Sequence, residues 1–135
     1  MAQCHQVYQR ALYYDIALSR DVSREVDFMR TVYYHFAGAD MQSALDIACG
    51  PGYHARAFAQ RGIRAVGLDL QPQMVVFAQD QAAAMGVEAT WLAADMRSFQ
   101  LASPVDMAIC INISHIFFLH LLDIALLCFS KVDVV

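Results

Sequence analysis

Asp46-Ile47-Ala48-Cys49-Gly50-Pro51-Gly52-Tyr53 decides how the rest of this 135-residue chain is read. The run Ser43-Ala44-Leu45-Asp46-Ile47-Ala48 is short and mostly apolar, the pattern of a buried strand, and it breaks at Cys49-Gly50-Pro51-Gly52. Ala55, Phe58 and Ala59 follow at helical spacing, so the segment predicts strand, tight bend and helix. Glycines at such a bend let the backbone approach a ligand closely and take torsions closed to other residues. A Gly-x-Gly carries little alone; between a strand and a helix it carries more.

Working outward, Gly62 ends that helix and 63–70 reads as a second strand. Pro72 stands where a first-turn proline is tolerated, and Met74, Val75, Phe77, Ala78 and Met85 carry a helix closed by Gly86. Residues 90–94 read as a third strand and 105–111 as a fourth. Upstream, an opening segment around Tyr8–Asp15 leads into a helix capped by Asp21, with the apolar stripe Val22, Val26, Met29, Tyr33 and Phe36 and its end at Gly38. Strands alternating with helices mean βαβ units and a parallel sheet, and crossover handedness places helices on both faces. The expected fold class is therefore α/β, doubly wound and mostly parallel. No linker or repeat divides the chain, so one domain is read: a helical segment over 1–40, a βαβ core over 41–112 and an apolar helix over 113–135.

Composition narrows the function. Hydrophobic residues make up 59% and charged residues 16%, which excludes a disordered chain. The net charge of −4 shows no basic stripe for nucleic acid. The four cysteines are scattered, with no Cys-x-x-Cys pair, and no leader-like run opens the chain; reduced thiols in a cytoplasm are expected. The greasy stretch from Met107 to Phe129 holds Asn112, His115, His120 and Asp123. An aspartate at a bilayer centre costs roughly 2.5–3.5 kcal/mol, so a buried strand and helix face are expected there and no membrane span.

Asp69 ends the second strand 19 residues after Gly50. A carboxylate at that position can accept hydrogen bonds from both ribose hydroxyls, so a nucleoside-containing cofactor is the physical inference. Gly50-Pro51-Gly52-Tyr53-His54-Ala55 also satisfies the dinucleotide pattern, which keeps NAD in contention. Asp46 weighs against it, because a carboxylate there repels a pyrophosphate and attracts an ammonium group. So does Asp95, which ends the third strand and can accept from an adenine amino group, and so does the helical segment before the first strand. The same oxygens have bland uses: Asp46 could cap the following helix, and Asp95 could be an ordinary polar strand exit.

These residues together resemble the class I S-adenosylmethionine-dependent methyltransferases. The resemblance rests on 45–52, on Gly67-Leu68-Asp69-Leu70 with Met74 beyond, on Ala93-Ala94-Asp95-Met96-Arg97, and on 105–112. It implies a Rossmann-like methyltransferase fold with its first four strands and S-adenosylmethionine as cofactor. By this resemblance Gly50 and Gly52 pass under the cofactor and Asp46 holds its methionine end. Asp69, with Leu70 beside it, takes the ribose, and Asp95 and Met96 flank the adenine. Tyr14 closes over the cofactor, and Asn112 faces the transferred methyl.

The expected reaction is methyl transfer to a small-molecule acceptor, with neither nucleic acid nor membrane as partner. The competing readings are an NAD-linked oxidoreductase and a non-catalytic fragment that binds a cofactor or partner. His115 is the candidate general base, against the plainer reading of a packed helix residue. No metal site is expected, since His115 and His120 are five apart and fall on different helix faces. The family's sheet continues past a fourth strand, whereas this chain stops at Val135 without a Pro-Gly-Gly type turn. It is therefore expected to be the cofactor-binding half of a longer enzyme, cut short or read out of frame near its end. Impaired turnover and self-association through the fourth-strand edge are expected to follow.

Overall fold

A computed structural model describes residues 10–17 and 19–111. The readings placed on 1–9 and on 112–135, including the apolar C-terminal helix, fall outside the described residues.

The opening segment is itself helical over 10–17 (α1) and leads into α2, Ser23–Ala37. Asp21 acts one residue further out than expected. Val22 takes the N-cap position, and the Asp21 carboxylate accepts the Ser23 N–H at 2.8 Å. Val22, Val26 and Met29 are buried and Tyr33 is partly so, but Phe36 is 69% exposed. The apolar stripe stops short because α2 is 15 residues long and packs on α3, Tyr53–Gln60, which has only 8. At 1.5 Å per residue, about 12 Å of helix cannot cover about 22 Å.

The remaining elements are β1 (Ser43–Ile47), β2 (Arg64–Asp69), α4 (Pro72–Ala84), β3 (Thr90–Ala93) and β4 (Met107–Ile109). They form one parallel sheet in the order β3-β2-β1-β4. The chain winds outward from β1 to β3, then returns to lie on the other side of β1. That reversal is what the doubly wound reading requires, and the α/β class follows. One row crosses the sheet: Ile109 opposite Asp46, Asp46 opposite Gly67, and Gly67 opposite Trp91.

Among the described residues α2, α3 and α4 share one face. Val26, Met29, Ala55 and Phe58 pack there against Ala44, Ala65, Met107 and Ile109, and Ala78 of α4 reaches the space beside Gly52 and Trp91. The opposite face buries Leu45, Val66, Leu68 and Ala108 under Phe99, Leu101 and Val105 of the β3–β4 connection. That connection is non-helical in 94–106, so helices on both faces are not seen here. Handedness puts the two same-direction crossovers on one side and the returning one on the other.

β4 is shorter than the expected 105–111. The Asp106 carboxylate accepts the N–H groups of Gln42 and Ser43 at 2.7 and 3.0 Å, and the Asp106 N–H donates to the Ser43 hydroxyl at 2.9 Å. A side-chain clamp thus replaces the first rungs of the ladder. Among the described residues no helix is long and apolar enough to cross a membrane.

Candidate functional site: the bend after β1

The bend between β1 and α3 is held open by unusual backbone. Ala48, Gly50 and Gly52 all have positive φ, at 56°, 53° and 79°. For Ala48 this region costs about 1–2 kcal/mol, which the surrounding bonds must offset. The Cys49 N–H donates to the Leu68 carbonyl at 2.9 Å, and the Gly52 N–H donates to the Cys49 carbonyl at 2.9 Å. Asp69 fastens the turn from β2: one carboxylate oxygen accepts the Gly50 N–H at 2.8 Å and the other accepts the Gln71 N–H at 2.9 Å. Each oxygen keeps a second acceptor direction for a ligand hydroxyl.

Gly52 serves packing. A Cβ there would stand 2.6 Å from the Trp91 ring, and one at Gly67 would stand 2.4 Å from it. Trp91 thus seals the underside of the bend against β2 and α4.

Asp46 is 2% exposed and its carboxylate accepts the Ala55 N–H at 3.3 Å, in the first turn of α3. Gly52 provides no side-chain cap, so Asp46 supplies that oxygen from the neighbouring strand. Burial pushes its pKa up to about 7; the charge of Asp69 adds to this and the Ala55 hydrogen bond opposes it. Beside it, His54 is buried and its Nε2 lies 2.7 Å from the Glu25 carboxylate. Burial lowers the His54 pKa, with Glu25 opposing. Burial acts to raise that of Glu25, but Arg20 and His54 outweigh it and hold the group below the usual range. The Tyr53 hydroxyl donates to Asp15 at 2.5 Å. Two contacts, Glu25 to His54 and Asp15 to Tyr53, therefore fasten α1 and α2 over the start of α3.

Between them lies a pocket of about 130 Å³ lined by Tyr14, Asp46, Gly50, Tyr53, His54 and Ile111, among others. It opens beyond the carboxyl ends of β1 and β4, the point at which the strand order reverses. Ligands of open α/β sheets bind at that switch point.

Tyr14, Asp46 and Gly50 thus meet as the sequence reading expects, and Asp69 stands behind them. Leu70 and Met96 are exposed, at 63% and 46%. The Asp95 carboxylate is taken by Arg97, through its backbone N–H at 2.9 Å and its guanidinium at 2.5 Å. The Arg97 side chain holds the Asp95 pKa down at about 2. Asn112 and His115 lie outside the described residues. Cys49 lines the pocket, but burial raises its thiol pKa far above neutrality, and it stays an inert thiol.

Sequence reasoning missed the Glu25–His54 and Asp15–Tyr53 contacts. Tyr53-His54 directly after the glycines was a usable signal, since a helix start at a bend faces the site. Their partners, 38 and 29 residues upstream, left no trace in spacing.

A parallel α/β domain with its open bend at a switch point has the architecture of nucleotide-cofactor-binding domains. Within it, the methyltransferase-domain family matches residues 44–126, and the chain belongs to that family. Its fold is similar to that of an S-adenosylmethionine-dependent methyltransferase from Clostridium acetobutylicum (TM-score 0.63, 20% identity, 78% of this chain and 44% of that one). It is also similar to the S-adenosylmethionine-bound amino pentose methyltransferase of Micromonospora echinaspora (0.59, 26%, 76% and 41%). A third similar structure is the magnesium protoporphyrin IX methyltransferase of Synechocystis with bound S-adenosylhomocysteine (0.54, 24%, 67% and 42%). The chain spans less than half the length of each. No curated protein matches it.

Proposed function

We propose that the pocket at the bend holds the amino-acid end of S-adenosylmethionine, and that the protein transfers its methyl group to a small-molecule acceptor. The observation that carries this reading is Asp46, a buried carboxylate with one long hydrogen bond, lining a pocket at the switch point. An ammonium group satisfies such a carboxylate; a pyrophosphate would be repelled by it. The pocket is small beside the roughly 300–1,000 Å³ of whole-ligand sites, so it suits one end of the cofactor. The ribose then lies over Asp69, and the adenine over the exposed Leu70 and Met96.

When bound, the sulfonium supplies an already activated methyl group. The chain's residues have to bind and orient. Asp46 and the bend fix one end, Asp69 the sugar, and Tyr14 covers the pocket. Alignment of this kind can contribute roughly 7–11 kcal/mol. Asn112 beside the methyl and His115 as base remain part of the proposal. One of the similar structures is an amino pentose methyltransferase, which supports a small acceptor here. We place the protein in the cytoplasm, where the free Cys49 and Cys110 stay reduced.

Titration calorimetry with S-adenosylhomocysteine and NADH tests the reading. S-adenosylhomocysteine should bind, and Asp69→Asn should weaken it roughly tenfold or more, the worth of a hydrogen bond to a charged group. NADH binding in its place would overturn the proposal.

A further inference from the structure

Across Tyr53 and Arg20, which line both cavities, lies a second and larger one of about 220 Å³. Its walls are α3, the end of α4 and the connection between α1 and α2. Arg56 lines it, is 8% exposed, and has no hydrogen-bond partner for its Nε. The Nη1 of Arg56 donates to the Met85 sulfur at 3.1 Å, a weak acceptor, and its guanidinium lies 5.3 Å from the centre of the Tyr53 ring. Arg20 has its carboxylate in Glu25. Asp15, in the same wall, gives an oxygen to the Tyr53 hydroxyl and acts on the Arg56 guanidinium through charge alone.

Arginine presents a planar fork that matches two oxygens at once, and a buried guanidinium without them is costly. Here the guanidinium lies over the Tyr53 ring and against the Met85 sulfur, with its Nε buried and unpartnered. We propose that this cavity binds a small hydroxylated carboxylate, whose two oxygens are taken by Arg56. Ser19, Ser23, Gln60 and Gln81 on the walls offer partners for its hydroxyl groups. Asp15 and Asp21 share those walls and disfavour a doubly charged phosphate. The cavity shares Tyr53 and Arg20 with the bend pocket, but its ligand is argued from Arg56 and does not depend on what the bend binds.

The test follows the Arg56 Nε–H resonance of the 135-residue chain by NMR while acetate, lactate and inorganic phosphate are titrated. Lactate should shift it saturably and bind more tightly than acetate, with phosphate weakest. Arg56→Lys keeps the charge and the stem but loses the fork, and should weaken lactate binding roughly tenfold or more. An unmoved Arg56 resonance, equal lactate affinity in a folded Arg56→Lys, or phosphate binding as tightly as lactate would each overturn the proposal. The first and last of these outcomes need no variant.

Discussion

Asp46 keeps its proton through much of the range in which most aspartates have lost theirs, because the fold removes it from water. Its folded pKa lies near 7 against 3.8 for the free side chain, so the folded state binds the proton more tightly than the unfolded one. Stability from this group is complete below 3.8 and is lost as pH rises towards 7. His54, with its lowered pKa, acts in the opposite sense below 6.5. The comparison that isolates Asp46 is therefore between the wild type and Asp46→Asn. Denaturation across pH 4 to 8 should show the variant losing less stability on the way up; parallel curves would refute this. An ammonium ligand favours the ionised carboxylate, so S-adenosylhomocysteine should bind more tightly at pH 8 than at pH 6. The same variant should flatten that dependence. At this scale the sequence was informative where residues cluster along the chain: Asp46, Gly50 and Asp69 were found through one bend and one spacing. Glu25 could not be, since only the docking of α2 on α3 brings it to His54.

The elements were largely legible because each is short, apolar and punctuated. Gly50 to Gly52, Gly62, Pro72 and Gly86 mark where β1, α3, β2 and α4 begin and stop, and the structure follows that punctuation. The misjudged bounds have tertiary causes. β4 loses rungs to the Asp106 clamp, and α2 outruns the helix that covers it. Trp91 read as an ordinary strand residue, yet its ring decides that Gly67 and Gly52 can carry no side chain. Gly67→Ala should cost about 1–3 kcal/mol by overpacking against a rigid ring. Trp91→Leu should cost less on the Gly67→Ala background than in the wild type, read as a smaller fall in thermal midpoint. Strictly additive losses would mean that the ring is not the obstacle.

At the scale of the whole molecule, the strand order places the pocket. Reversal after β3 brings Ile111 beside the bend that follows β1, and neither segment makes a site alone. The alternation of strands and helices foretold that reversal, but not that the returning connection would be non-helical and cover its face with Phe99 and Leu101. Among the described residues β4 pairs only with β1. We propose that another copy pairs with this edge. Sedimentation across a dilution series should show mass rising with concentration; one monomeric species throughout would contradict it.

The most direct test of the account is a crystal of the chain soaked with S-adenosylhomocysteine. The account predicts the amino group against Asp46 and the sugar hydroxyls within hydrogen-bond distance of the Asp69 carboxylate. Density for the ligand anywhere else, or an Asp69 carboxylate still committed wholly to Gly50 and Gln71 with no sugar beside it, would contradict it.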